Sequence, residues 1–254
     1  MKLKRLTIFL SLSLLPAITF SSDAYSDWAK TYGWGSQAND EARSIQQTAD
    51  GGYIVAGWTE AVGMGAQDFL VLKLSSTGVS QWAKAFGGMA VDSAYSIQKI
   101  FDSKYGDGYI VAGRTASYGA GNYDFLLLKL NTSGGIVWGK TIGGSTWDNA
   151  YSVIQASDTS YVVAGETASF GSGASDVLVA KVTIGGGIQW AKAFGWSGYE
   201  AAYEVQQTSD GGYILAGYTS SFDVSREDAL VLKLNSTGGL QWAKTYGSVS
   251  DEKA

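Results

Sequence analysis

Trp28-Ala29-Lys30, Trp82-Ala83-Lys84, Trp138-Gly139-Lys140, Trp190-Ala191-Lys192 and Trp242-Ala243-Lys244 are five copies of one short word. Their tryptophans stand 54, 56, 52 and 52 residues apart, and the sequence between them repeats as well. A period of this length marks a repeat architecture, in which each unit buries its apolar surface against its neighbours.

Working outward from each copy, one period holds four strand-like runs, a to d, bounded by turn residues. In the first repeat these are 42–48, 52–59, 68–74 and 80–86. The second has 94–100, 108–115, 124–130 and 136–142; the third has 150–156, 160–167, 176–182 and 188–194. The fourth has 202–208, 212–219, 228–234 and 240–246, and a spare d-type strand, 28–32, precedes them all. Strands b (Tyr53-Ile54-Val55-Ala56) and c (Phe69-Leu70-Val71-Leu72) are apolar at every position. They therefore require cover on both faces. Asp50-Gly51-Gly52 and Ser76-Thr77-Gly78 supply the positive φ of tight hairpins. The one sizeable length change is a four-residue excess in the second a–b turn, around Asp102.

Four antiparallel strands in about 52 residues, covered on both faces, describe a β-propeller blade. The expected fold is all-β: about four four-stranded blades over 25–254, with repeats at 28–81, 82–137, 138–189 and 190–241 and a partial fifth at 242–254. A β-solenoid needs only about 20–30 residues per coil, and a sandwich gives no reason for a period. A closed four-bladed ring and an open arc both satisfy the count.

The residues also resemble a family. Trp82 to Gly87, Asp92 to Ile97, Gly108 to Thr115 and Asp124 to Asn131 look like the secreted bacterial and archaeal β-propeller repeat proteins (SBBP-type repeats). The resemblance covers nearly all of the chain after residue 24. It implies an extracellular or cell-surface propeller and carries no catalytic residues.

Composition narrows the function. Lys2, Lys4 and Arg5, an apolar run from Leu6 to Phe20 and small residues to Ala24 read as a signal peptide over 1–24. A membrane anchor is the rival reading, against which the run falls short of about 20 residues. A secreted, extracellular or periplasmic location follows, with no membrane insertion after cleavage. Without the leader, 15 basic residues face at most 23 acidic ones. An acidic surface without Lys/Arg clusters argues against nucleic acid as a partner. The chain has no His and no Cys. That removes Ser-His-Asp and Cys-His catalysis and imidazole or thiolate metal sites. A carboxylate-dependent glycoside hydrolase needs only Asp and Glu and survives as the least favoured reading. No Asp-x-Asp-x-Asp run offers calcium its oxygens. Neither a metal nor a cofactor is expected.

Loops b–c (60–67, 116–123, 168–175, 220–227) and d–a (33–41, 87–91, 143–147, 195–199) share one end, the candidate binding face. Residues present in every repeat are assigned to architecture: Asp40, Asp92, Asp148 and Glu200; Asp68, Asp124, Asp176 and Asp228; Lys73, Lys129, Lys181 and Lys233. Rings that are not repeated point to a ligand. Trp34 and Trp196 replace Gly88 and Gly144, Trp147 and Tyr199 replace Asn39 and Val91, and Tyr123 stands where other repeats have Gln67, Ser175 and Glu227. Such rings stack on sugars or anchor a protein; as architecture they would plug the channel mouth or cover blade edges. The first expectation is a binding or scaffolding module for an extracellular glycan or surface protein. The alternative is a self-assembling envelope protein joined through its terminal edge strands.

Overall fold

The computed structural model describes residues 30–33, 38–222 and 227–247. The expected leader, Trp28 and Trp34 lie outside the described residues. Among the described residues, sixteen strands form four four-stranded antiparallel sheets, each with its strands in chain order. The first sheet is β1 (Asp40–Gln47), β2 (Tyr53–Thr59), β3 (Asp68–Leu74) and β4 (Ser80–Phe86). The second is β5 (Asp92–Ile100), β6 (Gly108–Thr115), β7 (Asp124–Asn131) and β8 (Ile136–Ile142). The third is β9 (Asp148–Gln155), β10 (Tyr161–Thr167), β11 (Asp176–Val182) and β12 (Ile188–Phe194). The fourth is β13 (Glu200–Gln207), β14 (Tyr213–Thr219), β15 (Asp228–Leu234) and β16 (Leu240–Tyr246). This is the four-blade, propeller-like all-β architecture that the period predicts. Of the spare strand, only residues 30–32 are described, and they carry no strand pairing.

The fourth strands, and the third strands but for one extra residue in β7, fall where the sequence places them. The first strands begin two residues earlier, at Asp40, Asp92, Asp148 and Glu200. The cause is a bulge. Ala42 pairs with Gly57 and Ser44 with Ala56, so Arg43 is the extra residue. Tyr95, Tyr151 and Tyr203 are extra in the same way in the other sheets. A bulge turns one side chain out of the alternation and sharpens the local twist.

The sheets stack in chain order, first strand next to first strand. Between the first two lie Ile54, Ala56, Phe69 and Val71 from one side and Ala94, Ile97, Tyr109 and Val111 from the other, all buried. The same positions fill the second and third seams. Strands b and c are apolar throughout because consecutive residues serve two different seams. The repeated tryptophan closes each seam from outside: Trp82 meets Tyr109, Trp138 meets Tyr161 and Trp190 meets Tyr213 at 6.3, 5.8 and 6.1 Å between ring centroids.

The repeated lysine of each third strand is an ion-pair partner of the a–b turn. Lys73 reaches Asp50 at 2.8 Å, Lys181 reaches Asp158 at 2.7 Å and Lys233 reaches Asp210 at 2.8 Å. The fourth pair, Lys129 with Asp102, is fully buried. Its turn is the one with four extra residues, and these fold over the pair.

Candidate functional site

Two ends of the stacked sheets differ in chemistry. The a–b and c–d hairpins make one end. The b–c and d–a loops make the other, joined across seams by parallel bridges Gln67–Val91, Tyr123–Trp147 and Ser175–Tyr199. The bulges lie at this second end, where Asp40 pairs with Thr59 and Asp148 with Thr167.

The bulged residues form a continuous row. Arg43 lies over the Tyr95 ring at 5.4 Å, Tyr95 meets Tyr151 edge-on at 5.4 Å, and Tyr151 meets Tyr203 at 5.2 Å. Tyr203 then stacks on Tyr218 at 5.7 Å. Behind the row stands one position of the second strands: Trp58, Arg114, Glu166 and Tyr218. Arg114 sits over Tyr123 at 4.5 Å and also reaches Tyr95. Tyr151 donates to Glu166 Oε1, which also accepts Asn149 Nδ2 at 2.9 Å. Burial, reinforced by the Glu166 charge, holds the Tyr151 phenol well above its ordinary value, so it remains a donor. Tyr218 is pushed up to about 12, again mainly by burial. Tyr203 is 54% exposed and forms the open end of the row. Rings, one carboxylate and two guanidiniums thus share a single surface that all four sheets build.

Of the rings singled out by sequence, Tyr123 joins this cluster through Arg114. Trp147 pairs with it through the backbone and is half-buried. Tyr199 is exposed at the third seam, its N–H given to Ser220 Oγ at 2.9 Å. Trp196 is edge-on to Phe222 at 4.8 Å and packs against the third seam. The row itself was overlooked because its residues are in strands, not loops. Its signal lies in two positions of the repeat: the one after the invariant Ala42, Ala94, Ala150 and Ala202 is a ring in three repeats, reading Arg, Tyr, Tyr, Tyr, and the one before the invariant Thr differs in every repeat, reading Trp, Arg, Glu, Tyr.

The repeated acids at this end form buried pairs. A Cβ on Gly87 would lie 1.9 Å from Asp68 Oδ1 and 2.6 Å from Asp92 Oδ2, so the two carboxylates face each other across that glycine. Asp124 with Asp148 and Asp176 with Glu200 do the same at Gly143 and Gly195. Among the described residues no group of three or more His, Cys, Asp or Glu stands where it could hold a metal ion. Burial pushes Asp68 up to about 6, opposed by the Met64 N–H and helped by the Asp92 charge; burial also raises Asp124 and Asp176. An acid whose folded pKa exceeds its unfolded value near 3.9 stabilises the fold most when protonated. That contribution is lost as pH rises through the folded value. Asp50 and Asp210, held low chiefly by hydrogen bonds from Lys73 and Lys233, stay ionised over this range and do not mask the effect. Thermal melts should show the protein more stable near pH 5 than near pH 7.5 by about 1–2 kcal/mol. Asp68→Asn should flatten that slope. A slope of the opposite sign would refute the pairing.

No family model and no curated protein matches the chain. Among solved structures, a crystal structure of the eukaryotic initiation factor is similar at a TM-score of 0.39 and 9% identity, over 81% of this chain. The likeness spans 55% of that chain, little more than half, and is too loose to carry a function.

Proposed function

We propose that this chain is a secreted or cell-surface propeller of the SBBP-repeat kind that binds an extracellular glycan on the end bearing the tyrosine row. The observation that carries the reading is the row itself. A bulged position that is Tyr in three repeats and Arg in the first, beside a second-strand position that differs in all four, puts Tyr95, Tyr151 and Tyr203 on one surface with Arg43, Arg114 and Glu166. The bulge takes these positions out of the alternation that fills the apolar seams, and their rings meet one another from sheet to sheet instead. Ring faces offer a sugar its apolar C–H surface, while phenol, carboxylate and guanidinium match its hydroxyls. Tyr123, Trp147 and Tyr199 extend the same end.

Binding to immobilised polysaccharides, followed by calorimetry with the best, tests this. Tyr203→Ala should weaken binding about tenfold, the loss of roughly 1.4 kcal/mol of stacking. The melting temperature should stay put, since the ring is exposed. Unchanged affinity in both Tyr203→Ala and Tyr123→Ala would sink the reading.

A further inference from the structure

The seams between sheets give a standard against which the two end faces can be judged. Call the side of each sheet toward its predecessor the front and the other the rear. On the front, Ile97, Val153 and Val205 are buried, 2% exposed for Ile97; their counterpart on the first sheet, Ile45, is 60% exposed. Ala42 is exposed where Ala94, Ala150 and Ala202 are buried. On the rear, Ala56, Ala112 and Ala164 are buried, as are Phe69, Phe125 and Val177; the fourth sheet's Ala216 and Ala229 are exposed. Trp242 and Tyr246 beside them are 39% and 59% exposed. Val55, Leu70, Leu72 and Leu74 on the same front are already buried, with Tyr32, Ala61 and Val62 packed against them. The open first strand of that front and the rear of the fourth sheet are thus the two halves of a seam formed three times within the chain.

The polar parts of the seam match too. In each closed seam a first-strand side chain accepts a backbone N–H from the next sheet: Ile97 N–H to Ser44 Oγ at 3.2 Å, Val153 N–H to Ser96 Oγ at 3.2 Å and Val205 N–H to Ser152 Oγ at 3.3 Å. Lys99 N–H gives to Gln46 Oε1 at 2.8 Å. Glu204 and Gln206 hold those acceptor positions on the rear of the fourth sheet, and both are exposed. The donors that correspond to them are the backbone N–H groups of Ile45 and Gln47.

We propose that these two faces form a fourth seam between two copies of this chain, front to rear. The occupant follows from continuity: the surface that fits the rear of one sheet, position by position, is the front of another sheet of the same repeat, and a second copy carries one. The contact is heterologous, so each copy keeps one face for a further partner unless the ring closes. Residues 30–33 regulate it. Lys30 Nζ gives to Thr77 O at 2.6 Å and Tyr32 Oη gives to Gly78 O, covering the turn that Trp82 and Lys84 cover at Gly134 of the next sheet. They occupy the place that a partner's β16 would take, so joining must displace them.

Sedimentation velocity on the chain freed of residues 1–24 tests this, at up to about 100 μM. Ile45→Lys blocks the front and Ala229→Lys the rear; both sites are exposed, so the fold survives. The chain should associate with concentration, each variant alone should be monomeric, and the two mixed should form a one-to-one dimer and nothing larger. Tyr32→Ala should strengthen association about tenfold by loosening the competing segment. Two results would overturn the proposal: a monomer throughout, in the unaltered chain and in Tyr32→Ala, or association that Ile45→Lys leaves intact.

Discussion

Lys129→Met should cost the protein about 3–5 kcal/mol, the largest loss expected from any of the four repeated lysines. The reason is the burial of its partner. Lys129 and Asp102 both have no exposed side-chain surface, whereas Asp50, Asp158 and Asp210 are about half exposed. Removing the ammonium strands Asp102 in the interior. Water cannot relieve it, because the extra residues of the turn close over the pair and Tyr105 lies 4.8 Å from the lysine nitrogen. The Lys104 and Tyr105 N–H groups both bond Asp102 Oδ1 at 2.8 Å and satisfy only that oxygen. At Lys73 the same substitution leaves an aspartate that water can reach, so a loss of about 1 kcal/mol or less is expected. Denaturant titrations of the two variants measure the contrast. A second substitution, Asp102→Asn, keeps the acceptor for the turn but removes the charge, and should return at least half of the stability lost in Lys129→Met. Equal losses at Lys129 and Lys73 would show that burial is not what separates them.

How much of this was legible in the sequence depends on whether a residue's role is local to the repeat. The tryptophan period, the doubly apolar second and third strands and the Gly-rich hairpins each follow from one repeat's own needs, and the four sheets appear where these place them. The extra turn length around Asp102 was visible, yet nothing local says that it buries an ion pair; that depends on Lys129 in another strand. The bulges were hidden for a different reason. Arg43, Tyr95, Tyr151 and Tyr203 read as ordinary outward strand positions, and only the pairing of Ala42 with Gly57 and Ser44 with Ala56 shows that a residue has been squeezed out of register. Emphasis on loop rings therefore pointed to the end that bears the row but missed the row itself, reaching it only through Tyr123. The end faces lay beyond any reading of composition, since Ile45 and Ile97 occupy the same place in the repeat and differ only in what stands in front of them.

Gly165→Ala is expected to be nearly as damaging, about 3 kcal/mol, and to abolish the proposed glycan binding as well. Glycine occupies this place in all four second strands, and its φ is not the reason. A Cβ on Gly165 would lie 1.9 Å from the backbone oxygen of Asn149 and 2.9 Å from Ala150 Cα; on Gly57, Gly113 and Gly217 it would meet the matching oxygen at 1.7, 2.1 and 1.8 Å. The missing side chain is what lets the first strand fold its extra residue against the second. Strand β10 cannot yield, because Gly165 pairs with Leu178 on its other side and its neighbours fill two seams. The strain must fall on β9, flattening the bulge and turning Tyr151 away from Glu166. Overpacking of a close-packed interior costs about 1–3 kcal/mol, and a contact with backbone belongs at the upper limit. Gly211→Ala is the control: its φ is +77° with nothing within 4 Å of the added carbon, so the loss should be about 1 kcal/mol and binding should be kept. If Gly165→Ala proved no worse than Gly211→Ala and still bound ligand, the bulge would not be what aims the tyrosine row.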